Sequence, residues 1–416
     1  MTKTAVQDAV HALRDLFPAT PLQLSEHLST LFNANIYLKR EDLTPVRSYK
    51  VRGAYNFFRK VIARGQTDKI FVCASAGNHA QGFAFACRHF GVHGVVFMPV
   101  TTPQQKIDKT RKFGAEFITI RLVGDIFDQC YKAARDYVEE ADGLMVPPFD
   151  HADIIEGQAT VAAEILEQLP QDVTPDLVIM PVGGGGLSAG MTGYLAEDLP
   201  ASAFLFAEPV GAPSLKRSLE AGEVITLPKV DNFVDGAAVA RIGDANFAAL
   251  KQFPPAQVML VPENAICGTI IDMLNVEGVV LEPAGALAIA TLGLLERSSI
   301  EGKTVVLVVS GGNFDFERLP DVKERAMRYA GLKKYFILRL PQRPGALRDF
   351  LNLLGPEDDI ARFEYLKKSA RNFGSILIGI ETTDASNFSG LLQRFEENGL
   401  GYEDITGNDI LANLII

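Results

Sequence analysis

Lys50 stands in Ser48-Tyr49-Lys50-Val51-Arg52-Gly53-Ala54, an apolar, glycine-containing stretch behind the charged run Lys39-Arg40-Glu41-Asp42 and the loop breaker Pro45. A lysine at such a loop-to-helix transition is ordinarily a solvated helix start. Held out of water it becomes a different reagent. Burial disfavours the ammonium form, and the neutral amine that results is a nucleophile toward an aldehyde, the chemistry of a Schiff base. Lys50 alone leaves both readings open.

A second feature follows the apolar strand pattern ending in Pro181-Val182. Gly183, Gly184, Gly185 and Gly186 come in succession, then Leu187-Ser188-Ala189-Gly190 opens a helical pattern. Four glycines carry a large entropic cost, so a plain flexible turn explains them poorly. Without Cβ atoms several backbone N–H groups can converge, and a helix start adds partial positive charge, which makes a cradle for a phosphate. Gly184-x-Gly186-x-x-Ala189 also satisfies the loose dinucleotide fingerprint, with Glu208 about 20 residues on. On this motif alone a dinucleotide-dependent oxidoreductase stays open. No G-x-x-x-x-G-K-[ST] sequence occurs, so a P-loop nucleotide hydrolase has no support.

Two more stretches close strand patterns in the same way. Ala74-Ser75-Ala76-Gly77-Asn78-His79-Ala80-Gln81-Gly82 offers free amides from Ser75 to His79, suited to a carboxylate, and Asn78 adds a neutral side-chain amide able to bond a ring oxygen. A capped helix start is the plainer alternative. Val309-Ser310-Gly311-Gly312-Asn313 follows a very apolar run, and strand-end Ser and Gly residues line clefts in parallel-sheet folds, although a plain turn fits equally.

The elements that must carry these residues alternate. Apolar, β-rich runs fall at Ile36 to Lys39, Ile70 to Ala74, Gly94 to Met98, Glu116 to Ile120, Leu177 to Val182, Ala203 to Ala207 and Thr304 to Val309. Amphipathic stretches lie among them, at Val6 to Leu16, Gly82 to His89, Asp125 to Glu139, Ile155 to Leu169 and Leu187 to Leu199. Short apolar runs separated by helices predict an α/β fold with mostly parallel sheets covered on both faces. Two series are implied, a small lobe over about 47–145 within a body of residues 1–325, with a cleft between lobes for a small ligand. After the charged helix Val322 to Tyr329 and Ala330-Gly331 the pattern becomes βαββαβ over 332–416, a ferredoxin-like unit. Its expected parts are Tyr335 to Leu340, a helix from Pro344 to near Leu354, Ile360 to Leu366, Ser375 to Ile380, Asp384 to Asn398 and a strand near Tyr402.

Composition narrows the partners. Of 416 residues 47% are hydrophobic and 22% charged, the balance of a soluble globular protein. A formal net charge of −11 argues against a nucleic-acid backbone as partner, and the lack of a basic run argues against an anionic membrane surface. The four cysteines have no C-x-x-C pair and no ligand-like spacing, which reads as buried small hydrophobes in a reducing compartment and no metal site. The N-terminus lacks an apolar secretory core, and a cytoplasmic protein is expected.

In their order along the chain these stretches, with Thr44-Pro45, Val234-Asp235-Gly236-Ala237-Ala238-Val239 and Leu281-Glu282-Pro283-Ala284-Gly285-Ala286, resemble the pyridoxal-phosphate (PLP) enzymes of the tryptophan-synthase β fold. Within them they resemble the biosynthetic threonine dehydratases. The resemblance implies that Lys50 holds PLP, that Asn78 bonds the ring hydroxyl, and that Gly183, Gly184, Gly185, Gly186 and Leu187 bind the phosphate. It further implies that Ser310 faces the pyridine nitrogen and that Ser75, Ala76, Gly77 and His79 hold a substrate carboxylate. Two departures stand out: Tyr49 where the family has Phe, and Ala159 for Gly in Gly157-Gln158-Ala159-Thr160. The implied reaction is β-elimination from L-threonine to 2-oxobutanoate and ammonia, opening isoleucine biosynthesis. A neutral serine at position 310 cannot keep a ring nitrogen protonated as an aspartate would, which favours prompt elimination over transamination. The stretch Arg339 to Leu347 is similar to the ACT-like regulatory domain of that family, which implies an isoleucine-like effector and a homotetramer. Serine racemase and catabolic serine/threonine dehydratases share the four core stretches and remain the alternatives. Glu208 resembles the metal-binding acid of serine racemases, but a structural carboxylate is the preferred reading.

Overall fold

Residues 1–200, 203–366 and 373–408 are described by a computed structural model of the chain. The chain forms two units, Met1–Asp315 and Phe316–Ile416. In the first unit the strands are β1 (Leu22–Leu24), β2 (Asn35–Arg40), β3 (Phe71–Ala74), β4 (Gly94–Met98), β5 (Ile118–Leu122), β6 (Leu144–Met145), β7 (Leu177–Pro181), β8 (Phe204–Pro209), β9 (Val258–Val261) and β10 (Thr304–Val309). They make two sheets. The larger runs β1-β2-β10-β7-β8-β9 and is parallel except for β1 against β2; the smaller runs β5-β4-β3-β6 and is wholly parallel.

Strand β10, all β-branched or leucine, is buried along five of its six residues between β2 and β7. An interior parallel strand is covered on both faces, which is why it carries no polar alternation. The edge strand β5 begins two residues later than its apolar pattern suggests. Ala115–Phe117 winds a 3₁₀ turn first, with Ala115 at φ 48°, and half-exposed β5 has little burial to fix its start. Strands β1, β6 and β9, four residues or fewer, carry too short a pattern to be read from sequence.

Each functional stretch sits where a strand of the parallel sheets hands over to a helix. The helix Asn78–Phe90 starts four residues earlier than its hydrophobic pattern, so Ser75–His79 forms its N-terminus. The helix Gly186–Leu195 starts inside the glycine run, and the helix Lys50–Ala63 starts at Lys50 itself.

The second unit holds β11 (Lys333–Pro341), β12 (Asp359–Leu366), β13 (Phe373–Glu381) and β14 (Gly401–Asp404) in one antiparallel sheet ordered β12-β13-β11-β14. The helices Ala346–Leu351 and Asn387–Glu397 complete the ferredoxin-like βαββαβ order, and Phe336, Phe350, Phe388, Leu391 and Phe395 fill the core between sheet and helices. Gly345, in the left-handed region at φ 84°, ends the loop after Pro344, so the first of these helices begins at Ala346. The helix Leu319–Tyr329 packs on β11 within this unit, which sets the division at 315/316 where the sequence pattern suggested 325 to 332. Residues 409–416 of the expected 332–416 unit lie outside the described residues.

Candidate active site

The backbone before Lys50 is stitched to the end of β10. Tyr49 N–H donates to the Ser310 carbonyl at 3.1 Å and Gly312 N–H to the Arg47 carbonyl at 2.9 Å. Within the loop, Ser48 N–H donates to Thr44 Oγ1 at 2.9 Å. On the other side Gly82 packs so closely that a Cβ there would lie 3.1 Å from the Lys50 carbonyl carbon. Thus two of the sequence stretches, residues 44–54 and 310–313, meet as neighbouring strands would.

Lys50 Nζ donates to the Pro148 carbonyl at 2.9 Å and lies 5.3 Å and 5.8 Å from the ring centres of Tyr49 and Phe149. Burial among these rings pushes its pKa down to about 8, against the opposing pull of the Glu282 carboxylate. The solvated-lysine reading therefore fails. Tyr49, the departure from the expected Phe, keeps its aromatic role, and burial raises its hydroxyl pKa.

The glycine run closes the site's other side around the same residue, Phe149. A Cβ on Gly184 would fall 2.3 Å from that ring, and one on Gly186 2.8 Å from the Phe149 carbonyl oxygen. Gly185 sits at φ 89°, which a side chain would strain. The first internal bond of the following helix runs from Ala189 N–H to the Gly185 carbonyl. The amides of Gly186, Leu187 and Ser188 therefore point out of the helix start without an intrahelical partner. Lys50 and the glycine loop are brought together on Pro148-Phe149, a pair the sequence reading had not singled out.

Asn78 reaches the same region from the small lobe. Its Nδ2 donates to Glu282 Oε1 at 2.6 Å, and its Oδ1 accepts from Asn313 Nδ2 at 2.8 Å. One N–H of the Asn78 amide is left over. Glu282, which its family-like stretch quoted without a role, is 5% exposed, and burial with the neighbouring Asp235 raises its pKa to about 7. Ser310 is 3% exposed and its hydroxyl donates to the Ala284 carbonyl at 3.1 Å.

The expectation of five open amides from Ser75 to His79 is corrected. Ser75 N–H donates to the Phe97 carbonyl at 3.0 Å, because Ser75 continues the sheet past β3, and Gly77 N–H donates to Ser75 Oγ at 3.2 Å. The amides of Ala76, Asn78 and His79 and the hydroxyl proton of Ser75 remain as donors toward an anion. The His79 ring takes no part as a cation. It is buried, bonded to the Val146 carbonyl at 3.0 Å, and burial lowers its pKa to about 3.

Glu208 is fully buried and accepts from Leu215 N–H at 2.7 Å and Lys216 N–H at 3.0 Å, the start of the helix Ser214–Ala221. A carboxylate so committed is not free for a ribose hydroxyl, and the dinucleotide reading loses its second half. All four cysteines are buried and none forms a disulfide.

The first unit coincides with a described family: residues 13–311 match the pyridoxal-phosphate dependent enzymes. The first unit is thus the body of a PLP-dependent enzyme. Residues 324–415 match the C-terminal regulatory domain of threonine dehydratase. The chain is 45% identical to L-threonine dehydratase biosynthetic IlvA of Bacillus subtilis over 97% of its own length and 95% of the relative's. It is 47% identical to the Mycobacterium tuberculosis H37Rv protein of the same name, over 96% and 92%. Among solved structures, threonine deaminase isoform 2 of Solanum lycopersicum superposes with a TM-score of 0.71 at 37% identity, covering 78% of this chain and 93% of that one. The chain belongs to the biosynthetic L-threonine dehydratase family.

Proposed function

We propose that this protein converts L-threonine to 2-oxobutanoate and ammonia, the entry to isoleucine biosynthesis, and that its second unit senses an isoleucine-like effector. The observation that carries the reading is the joining, in one chain, of a buried lysine beside a glycine cradle to a regulatory unit, with relatives of that name matched over both.

The residues present fit PLP. A loop packed too tightly for a Cβ at any of its four glycines, followed by open helix-start amides, suits a phosphate, and an amine of lowered pKa suits an aldehyde. Gly183 to Leu187 would hold the phosphate, Asn78 the ring hydroxyl through its spare N–H, and Ser310 the ring nitrogen through a neutral hydroxyl. The bound group supplies an electron sink for the pair released when the Cα–H bond breaks. Lys50 Nζ takes that proton, for which a pKa of about 8 leaves part of it as the free amine near neutral pH. The Ser75 hydroxyl and the amides of Ala76, Asn78 and His79 orient the substrate carboxylate. Water leaves as hydroxyl from Cβ plus the Cα proton, and the same count of water returns in the hydrolysis that frees ammonia.

The regulatory reading is supported by a hollow of about 130 Å³ in the second unit, walled by Leu340, Ile376, Phe363 and Tyr365 with Arg343 at its rim. An aliphatic amino acid asks for that pairing of apolar wall and cation. Binding there acts through a coupling free energy, typically 1–3 kcal/mol. A cytoplasmic homotetramer completes the proposal, on the family likeness. No helix of the described residues is long and apolar enough to cross a membrane.

The test is threonine saturation of the full-length protein with and without isoleucine, for the natural sequence and for Arg343→Ala. Equal yields of 2-oxobutanoate and ammonia are expected, with isoleucine raising the half-saturating threonine concentration only in the natural sequence. Turnover of serine without threonine would overturn the activity, and an isoleucine response untouched by Arg343→Ala would overturn the location of the effector site.

A further inference from the structure

Asn246 lies in the short helix Asp244–Leu250, far along the chain from the glycine run, yet it is fully buried against it. Its Nδ2 donates to the Gly184 carbonyl at 2.7 Å and, more weakly, to the Phe149 carbonyl at 3.4 Å. Gly243 N–H adds a bond to the same Gly184 oxygen at 3.1 Å. The peptide joining Gly184 to Gly185 is trans, so its carbonyl and its N–H point in opposite directions. Holding the oxygen toward Asn246 therefore fixes where the Gly185 N–H points. A peptide between two glycines has no side chain of its own to restrict rotation, so these two bonds, of which the Asn246 bond is the shorter, hold it.

The same helix is tied back at its start. Asp150 accepts from Asp244 N–H at 2.9 Å and from Ala245 N–H at 3.0 Å. Residues 148–150, the glycine loop and the helix Asp244–Leu250 thus form one hydrogen-bonded body, which also contains the Pro148 carbonyl that receives Lys50. Asn246 Oδ1 is buried with no partner among the described residues. An unpaired buried acceptor works against folding, so the amide is a poor choice for stability alone and its donor is what the site retains.

We propose that Asn246 is the positioning residue of the phosphate cradle, aiming the Gly185 amide by holding the Gly184 carbonyl and keeping the cradle in register with the carbonyl beneath Lys50. This rests on the reading of the glycine loop as a phosphate site. Neither the glycine pattern nor the lysine motif contains it, and it acts on the phosphate of the cofactor without touching the reacting bonds.

The test compares pyridoxal phosphate with pyridoxal, which lacks the phosphate, as ligands of the full-length apoprotein, using equilibrium dialysis. With Asn246→Ala the dissociation constant for pyridoxal phosphate should rise roughly tenfold, the scale of one lost hydrogen-bond anchor. That for pyridoxal should stay within about twofold. Inorganic phosphate should raise the melting temperature of the natural apoprotein and not that of the variant. Should Asn246→Ala fail to fold, Asn246→Asp keeps the shape and removes the donor, and the same pair of ligands is measured. Equal weakening of both ligands, or of neither, overturns the proposal. If the natural apoprotein itself binds the two ligands equally and ignores phosphate, the phosphate reading of the loop fails instead.

Discussion

Lys50 and Arg52 leave the same helical turn on different faces, Arg52 fully buried and Lys50 largely so, and their fates are opposite. Arg52 Nε donates to Glu41, Nη1 to Thr160 and Glu164, and Nη2 to Thr20, Glu41 and Glu164, at 2.6–3.1 Å. Burial pulls its pKa down, but the two carboxylates outweigh burial and raise it. Lys50 has one carbonyl and two ring faces, and burial wins. The carboxylate nearest to it electrostatically, Glu282, is itself pushed toward the protonated form and bonded to Asn78. Burial is common to the two sites. What separates a structural cation from a reactive amine is whether carboxylates are placed in contact with it.

The largest effect expected from breaking this contrast is on turnover. Lys50→Ala should remove dehydratase activity by at least roughly 10²–10⁴-fold, the usual worth of a proton-transferring group. Its urea midpoint should stay level or rise, because a desolvated ammonium with one acceptor contributes little to folding. A pyridoxyl group found on another lysine after borohydride reduction and peptide mapping would contradict the assignment.

Arg52→Met should do the reverse. Buried Glu41 would lose the cation it pairs with, while Glu164 would keep Lys39 and Arg14, and the loss should lower the unfolding free energy by about 3–5 kcal/mol. A loss below about 1 kcal/mol in urea unfolding would mean that the network does not hold this helix start.

The smallest effect sharpens the electrostatics. Above pH 7 the Glu282 carboxylate is ionised and raises the Lys50 pKa, so Glu282→Gln should move the pH midpoint for pyridoxal-phosphate uptake from about 8 to a lower value. The glutamine carbonyl can still accept from Asn78. Stability has its own sign: with a folded pKa of about 7 against an ordinary 4.5, the folded protein holds the Glu282 proton more tightly. That contribution is full below pH 4.5 and is lost as pH rises through 7. Glu282→Gln should partly flatten this fall, leaving the part due to Glu208, whose pKa is also raised to about 7 by burial. An unchanged uptake midpoint would mean that Glu282 does not act on Lys50.

How much of this was legible in advance follows from how each residue is held. The glycine run, Ser75–His79 and Ser310–Asn313 could be read because strand ends and glycines mark them locally, and the resemblance set them in order. The regular elements β4 and β10 coincide with their apolar runs to the residue. Phe149, Asn246 and Glu282 could not be read. Their importance comes from partners that lie far off in sequence, such as the glycine loop for Asn246 and Asn78 for Glu282. Ser75 misled for a related reason. Its amide was counted as open because the pattern of β3 ends at Ala74, whereas the neighbouring strand β4 offers the Phe97 carbonyl one residue further.

The pairing of β2 with β10 has a consequence in time. Residues 35–40 leave the ribosome early, while their neighbour in the sheet, residues 304–309, emerges after some three quarters of the 416 residues have been made. Until then β2 waits with one edge open, the exposed state in which slow, long-range parallel pairings invite misassociation. The loop carrying Lys50 waits too, because Ser310 and Gly312 supply the backbone bonds that hold it. A nascent chain shorter than about 310 residues therefore has the lysine and the glycine run but no assembled pocket, and cofactor capture belongs to the last stage of making the body.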